Sequence, residues 1–70
     1  MFDYSKLKGK MREKNVTQEQ LARQIGISSV SLRAKLKGGR PFFRADEMVL
    51  IGMALGIENE LDEYFLCRKT

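Results

Sequence analysis

Apolar residues recur at helical spacing along the whole chain, and no stretch alternates apolar and polar positions long enough to predict a strand. Tyr4, Leu7 and Met11 fall at i, i+3 and i+7, one stripe of a first helix that Asp3 is placed to cap; Gly9 lies on the opposite face. Asn15-Val16 is a short connector. A second helix then opens on the strongest local signal in the chain, Thr17 as N-cap and Gln20 three residues on, with Val16 and Leu21 as a hydrophobic staple. Leu21 and Ile25 form its core face, with Ala22 beside them, and Gly26 ends it as a left-handed residue. Ile27 plugs into the core, Ser28 caps a third helix, and Leu32 and Leu36 lie on that helix's inner face. Gly38-Gly39 close it, Pro41 prevents prompt continuation, and the loop PFFR pins Phe43 to the core. A fourth helix runs from about Ala45 to Leu55 and stops at Gly56, with Asp46 and Glu47 in the first turn, where the helix dipole favours them. A short fifth helix covers about Asn59 to Leu66. The expected fold class is all-α: a compact five-helix bundle, one domain over residues 1–70.

Composition narrows what such a bundle does. A 70-residue chain buries a small core, and an enzyme cleft in it would be cramped. Histidine is absent and Cys67 is the only cysteine, which removes the commonest general base and leaves no zinc site of usual spacing. No nucleophile is paired with a base at any motif spacing, so the expectation is a non-enzyme without metal, cofactor or small-molecule ligand. Arg68 and Lys69 follow Cys67, but a buried or idle thiol is the plainer reading. The longest apolar run, MVLIGMAL, is too short to span a membrane, and MFDYSKLKGK lacks the apolar core of a signal peptide. A cytoplasmic location is expected; Met1 and the short tail suggest a complete small protein.

Charge is segregated. Residues 1–44 carry eleven Lys/Arg against Asp3, Glu13 and Glu19, a net of +8; residues 45–70 carry two against six carboxylates, a net of −4. That asymmetry favours a polyanion on the first part.

The middle of the chain gives this charge a purpose. Two short helices joined through a glycine-containing turn make a helix-turn-helix, about residues 17–37. In that arrangement the first helix crosses the DNA backbone and the second lies in the major groove. Packing the pair steeply requires a small Ala22, a Gly26 free to take positive φ, and apolar Leu21, Ile25, Ile27 and Leu32 in the shared core. All six conditions are met.

TQEQLARQIGISSVSL resembles the helix-turn-helix of the lambda-repressor-like family, the Cro/CI and XRE-type phage and bacterial regulators. The resemblance extends over nearly the whole chain, through YSKLKGKMREKNVT before the motif and FRADEMVLIGMALGI after it. More narrowly, SLRAKLKGGRPFFRADEM is similar to small Cro- or CI-like repressors of phages from Gram-positive bacteria. The family implication is a sequence-specific transcriptional regulator that binds double-stranded DNA, a repressor acting as a homodimer on a palindromic operator. One departure stands out. Many members carry an apolar residue three positions after the one matching Leu32, followed by a glutamate; here those positions are Lys35 and Leu36. The core contact then shifts to Leu36, and Lys35 is expected to face outward.

On the third helix, Ser29, Val30, Arg33, Ala34 and Lys37 face away from Leu32 and Leu36. The resemblance places Ser29, Val30 and Ala34 at base edges and Gln18 where a glutamine anchors phosphate or braces a base contact. Val30 and Ala34 offer methyl contacts suited to thymine, Ser29 a hydrogen bond, and Arg33 the one bidentate reach to guanine, with a phosphate contact or plain solvated charge as its alternatives. Phosphate candidates are Lys14, Asn15, Thr17 and Ser28, together with Lys35, Lys37, Arg40 and Arg44. Lys6, Lys8, Lys10 and Arg12 read as ordinary exposed helix charge.

The acidic half is too apolar for a lone surface helix. Met48, Ile51 and Leu55 make the core stripe, packing on the fifth helix accounts for Leu50, and Val49 and Met53 remain uncovered. With Leu61, Tyr64 and Phe65 they define the expected dimer surface within about residues 45–66. The alternative from another functional class is a protein-interaction or antitoxin-like module on the same fold, against which the lysine-rich half argues.

Overall fold

The structure, a computed structural model, describes residues 1–68. Its five helices are α1 (Ser5–Glu13), α2 (Gln18–Ile25), α3 (Ser29–Lys35), α4 (Ala45–Leu55) and α5 (Leu61–Phe65). Local chemistry sets most of their ends. Asp3 is not the N-cap of α1: Tyr4 holds that position without a side-chain cap, and the Asp3 carboxylate, one residue further out, accepts from the Ser5 amide at 2.9 Å. At α2 the capping box closes in both directions: Gln20 N–H donates to Thr17 Oγ1 at 3.1 Å, and Thr17 N–H donates to Gln20 Oε1 at 3.0 Å. Gly26 follows at φ +81°, where a β-carbon would meet nothing within 4 Å; the left-handed backbone alone calls for glycine. Ser28 Oγ accepts from Ser31 N–H at 3.1 Å and so starts α3. Gly56, at φ +71°, ends α4.

The fifth helix is shorter than the expected Asn59–Leu66. The Glu60 amide donates to the Ile57 carbonyl at 2.9 Å, so Asn59 and Glu60 are taken up in a turn before α5 begins at Leu61.

One buried cluster joins all five helices. Leu7 and Met11 of α1, Leu21, Ala22 and Ile25 of α2, and Leu32 of α3 meet Ile51 and Leu55 of α4. Around Phe65, three rings pack edge to face: Tyr4–Phe43 and Phe43–Phe65 at 5.3 Å, and Tyr4–Phe65 at 6.2 Å. Aromatic pairs of this geometry contribute about 0.5–1.5 kcal/mol each beyond their buried area. They tie α1, the 38–44 loop and α5 together. α2 packs on both α3 and α4, while α5 packs on α4 and α1.

Periodicity says nothing about the chain ends, and the structure joins them. The Phe2 amide donates to the Gly38 carbonyl at 2.9 Å, the Asp3 amide donates to Cys67 O at 2.7 Å, and Phe2 and Arg68 form an isolated antiparallel bridge. Among the described residues no helix is long and apolar enough to cross a membrane.

Candidate functional site

The exposed side of α3 follows from where its few apolar residues go. Leu32 is buried in the helix, Leu36 just beyond it, and the opposite side faces outward. There Val30 is 74% exposed, although a β-branched apolar side chain gains nothing from water. Arg33 is exposed beside it, and Ser29 and Ala34 are half-buried. Ser28 is already engaged twice, accepting from the Ser31 amide and lying 3.0 Å from Ser31 Oγ.

At the other end of α2, the chain leaves α1 through Asn15, whose φ of +57° turns it sharply; asparagine tolerates that left-handed geometry better than most residues. The turn carves a groove lined by Lys8, Met11, Arg12, Asn15, Val16, Thr17 and Gln18. Asn15, Thr17 and Gln18, expected to touch DNA, are therefore neighbours. Lys8 and Arg12, expected to be ordinary exposed charge, stand with them. Their signal was present, since they lie at i, i+4 on either side of the buried Met11. A second, shallower groove, between α2 and α3, is lined by Glu19, Ala22, Arg23, Ile27 and Ser29.

Lys14, Arg33, Lys37 and Arg40 are exposed and have no ion-pair partner among the described residues. Arg44 is also exposed, 3.5 Å from Asp46; an open pair of this kind contributes little. Lys10 pairs with Glu13 at 2.7 Å.

Lys35 does not face outward, contrary to expectation. Its Nζ lies 2.6 Å from both carboxylate oxygens of Glu47, and the two side chains are only 11% and 8% exposed. The reason is the partner: Lys35, three residues after Leu32, lies at the edge of the inner face, and Glu47 of α4 arrives there with an acceptor. Glu47 Oε1 also accepts from the Arg44 amide at 2.8 Å. Burial by itself would push the Glu47 carboxyl up, but the Arg44 amide and the Lys35 ammonium outweigh it and hold the group below the usual carboxylate range.

The apolar surface of the acidic half also differs in part. Val49 is exposed and Met53 is 65% exposed, as expected, but Leu50 is uncovered too, because Gly52 rather than Leu50 meets α5. Leu61 and Tyr64 are half-buried and pack against the core. Phe65 is 0% exposed, locked between Tyr4 and Phe43, and is withdrawn from any dimer surface. Among the described residues no group of His, Cys, Asp and Glu is placed to hold a metal ion.

A sequence profile of the family described as "Protein of unknown function (DUF739)" matches residues 1–67. No curated protein matches the chain.

Proposed function

The chain belongs to the DUF739 family, and we propose that it acts as a sequence-specific DNA-binding regulator, a repressor of the Cro/CI type, through a helix-turn-helix made of α2 and α3. The observation that carries this reading is Val30, an apolar side chain held in the open on a short helix whose other exposed neighbours include Arg33 and Lys37. A thymine methyl group in the major groove is the partner that such a side chain fits.

In this reading α3 enters the major groove. Val30 and Ala34 contact methyl groups, Ser29 hydrogen-bonds a base edge, and Arg33 reaches guanine or the adjacent phosphate. The first turn of α2, with Thr17 and Gln18, receives a phosphate; Lys8, Arg12 and Asn15 line the same groove, and Lys14 is exposed next to Asn15 in the chain. Lys37 and Arg40 hold the backbone beyond α3. Four to six neutralised phosphates per subunit give a slope of about −4 to −5 in log K against log salt. A two-fold pair formed across Val49, Leu50 and Met53 presents two copies of α3 to a palindromic site in the cytoplasm.

Selection from a random duplex pool at about 100 mM salt tests the reading, with an Arg33→Ala protein alongside. A recovered palindrome supports the regulator; relaxation at one position per half-site in the variant assigns Arg33 to a base. No enrichment over background removes the DNA reading and turns attention to a protein partner.

A further inference from the structure

Lys35 and Glu47 are the most deeply buried ion pair among the described residues, and one of them stands at the end of the helix that the DNA reading places in the groove. We propose that this pair is a positioning clamp: it fixes the angle at which α3 is presented to DNA, and Lys35 itself does not touch phosphate. The inference rests on the DNA-binding reading above.

Three observations carry it. First, α3 is short, with seven residues and Leu32 as its one buried side chain, and it packs chiefly on α2. Apolar packing of so small a face is non-directional and leaves the helix free to roll about Leu32 and Leu36. Second, the ammonium of Lys35 is shared by both oxygens of Glu47 at 2.6 Å, and Glu47 is itself fixed by the Arg44 amide at 2.8 Å. The chain of contacts runs from α3 through one carboxylate to the backbone that opens α4. It supplies the direction that the apolar contacts lack. Third, this geometry occupies the charge of Lys35, while Lys37 and Arg40, just beyond, are exposed without an ion-pair partner among the described residues. Phosphate neutralisation at this end of α3 falls to them.

The test uses the full chain and the duplex recovered by selection, with a random duplex as the non-specific probe. The variants are Lys35→Met, Glu47→Gln, the apolar pair Lys35→Met/Glu47→Leu, and Lys37→Met. A clamp predicts that each single change to Lys35 or Glu47 weakens specific binding about tenfold or more, because one buried charge loses its partner. Non-specific affinity and the salt slope stay at wild-type values. The apolar pair regains fold stability, since no charge is stranded, but specific binding stays about tenfold weaker, because apolar contact does not restore the direction; full recovery of specific binding overturns the proposal. Lys37→Met shows the opposite pattern, weaker on both duplexes and with a slope flatter by about one. The proposal is overturned if Lys35→Met flattens the slope, if Glu47→Gln tightens binding by releasing the ammonium, or if both duplexes weaken alike. Amide exchange in the free protein separates this proposal from the DNA reading. With Glu47→Gln, protection is lost at the Lys35 and Leu36 amides and retained in α1; uniform loss, or none, rejects the clamp whether or not any duplex is bound.

Discussion

Gly38 and Phe2 are joined backbone to backbone: the Phe2 amide donates to the Gly38 carbonyl at 2.9 Å, and a β-carbon on Gly38 would sit inside the contact radius of the Phe2 carbonyl oxygen. Gly38 is also buried and has φ +93°. The N-terminal segment is thereby laid over the turn that follows α3. Gly38→Ala meets two obstacles, a left-handed backbone and a rigid backbone neighbour, and is expected to lower stability by about 2–4 kcal/mol. Gly39 carries neither burden, since a β-carbon there meets only the flexible tip of Met1 at 3.4 Å. Gly39→Ala should stay within about 0.5 kcal/mol of wild type. Urea unfolding of the two variants checks this, and equal shifts would refute the Phe2 contact as the cause.

Gly52 marks a different kind of close approach. Its position in α4 needs no unusual φ, but a β-carbon there would lie 2.6 Å from Leu61 Cδ2 and 3.2 Å from the Glu58 Cα. Gly52→Ala therefore gains helix propensity and loses the fit of α5 on α4, a net loss of about 1–3 kcal/mol. Gly52→Ala combined with Leu61→Ala relieves the clash, so the pair should be less destabilised than the sum of the two singles. Additivity in that double-mutant cycle would show that Leu61 is not the obstacle.

The capping box gives a local prediction. Thr17→Ala removes the acceptor for the Gln20 amide and is expected to cost about 1 kcal/mol, while Thr17→Ser keeps it and stays close to wild type. Thermal unfolding of the three proteins distinguishes them; indistinguishable midpoints would mean that the cap does not hold α2.

Glu47 makes stability depend on acid. Its carboxyl titrates lower in the folded chain than in the unfolded one, so it contributes stability above the ordinary glutamate value of about 4.3. That contribution is lost as pH falls through the depressed folded value. Between about pH 5 and 3 the wild-type protein should lose stability more steeply than Glu47→Gln, which has no carboxyl at that position. Parallel curves from chemical unfolding across that range would deny the pair its linkage.

The exposed side of α4 predicts an assembly. Wild type should shift from monomer to dimer over roughly 10–100 µM, and Met53→Glu should remain monomeric with little change in fold stability because Met53 is already exposed. Sedimentation equilibrium reads both. A wild-type chain that stays monomeric throughout removes the dimer, and with it the two-fold presentation of α3.

What the sequence determined by itself is the set of features whose causes lie within one turn of helix. The reciprocal bonds of Thr17 and Gln20, the left-handed Gly26, the Ser28 cap and the stop at Gly56 each need only residues three or four apart, so a linear reading reaches them. The bounds of α4 and the burial of Leu7, Leu21, Ile51 and Leu55 follow from the same short-range periodicity. Tertiary structure decided what depends on elements meeting. Lys35 points inward because Glu47, twelve positions on, arrives with an acceptor. Phe65 is core rather than surface because Tyr4 and Phe43 close over it from the other end of the chain and from a loop. Lys8 and Arg12 join Thr17 and Gln18 in one groove because the turn at Asn15 brings the start of α2 back beside the end of α1. A charge or a ring has several low-energy surroundings, and local sequence does not choose among them; the choice is made by whichever partner the packed chain brings within contact distance.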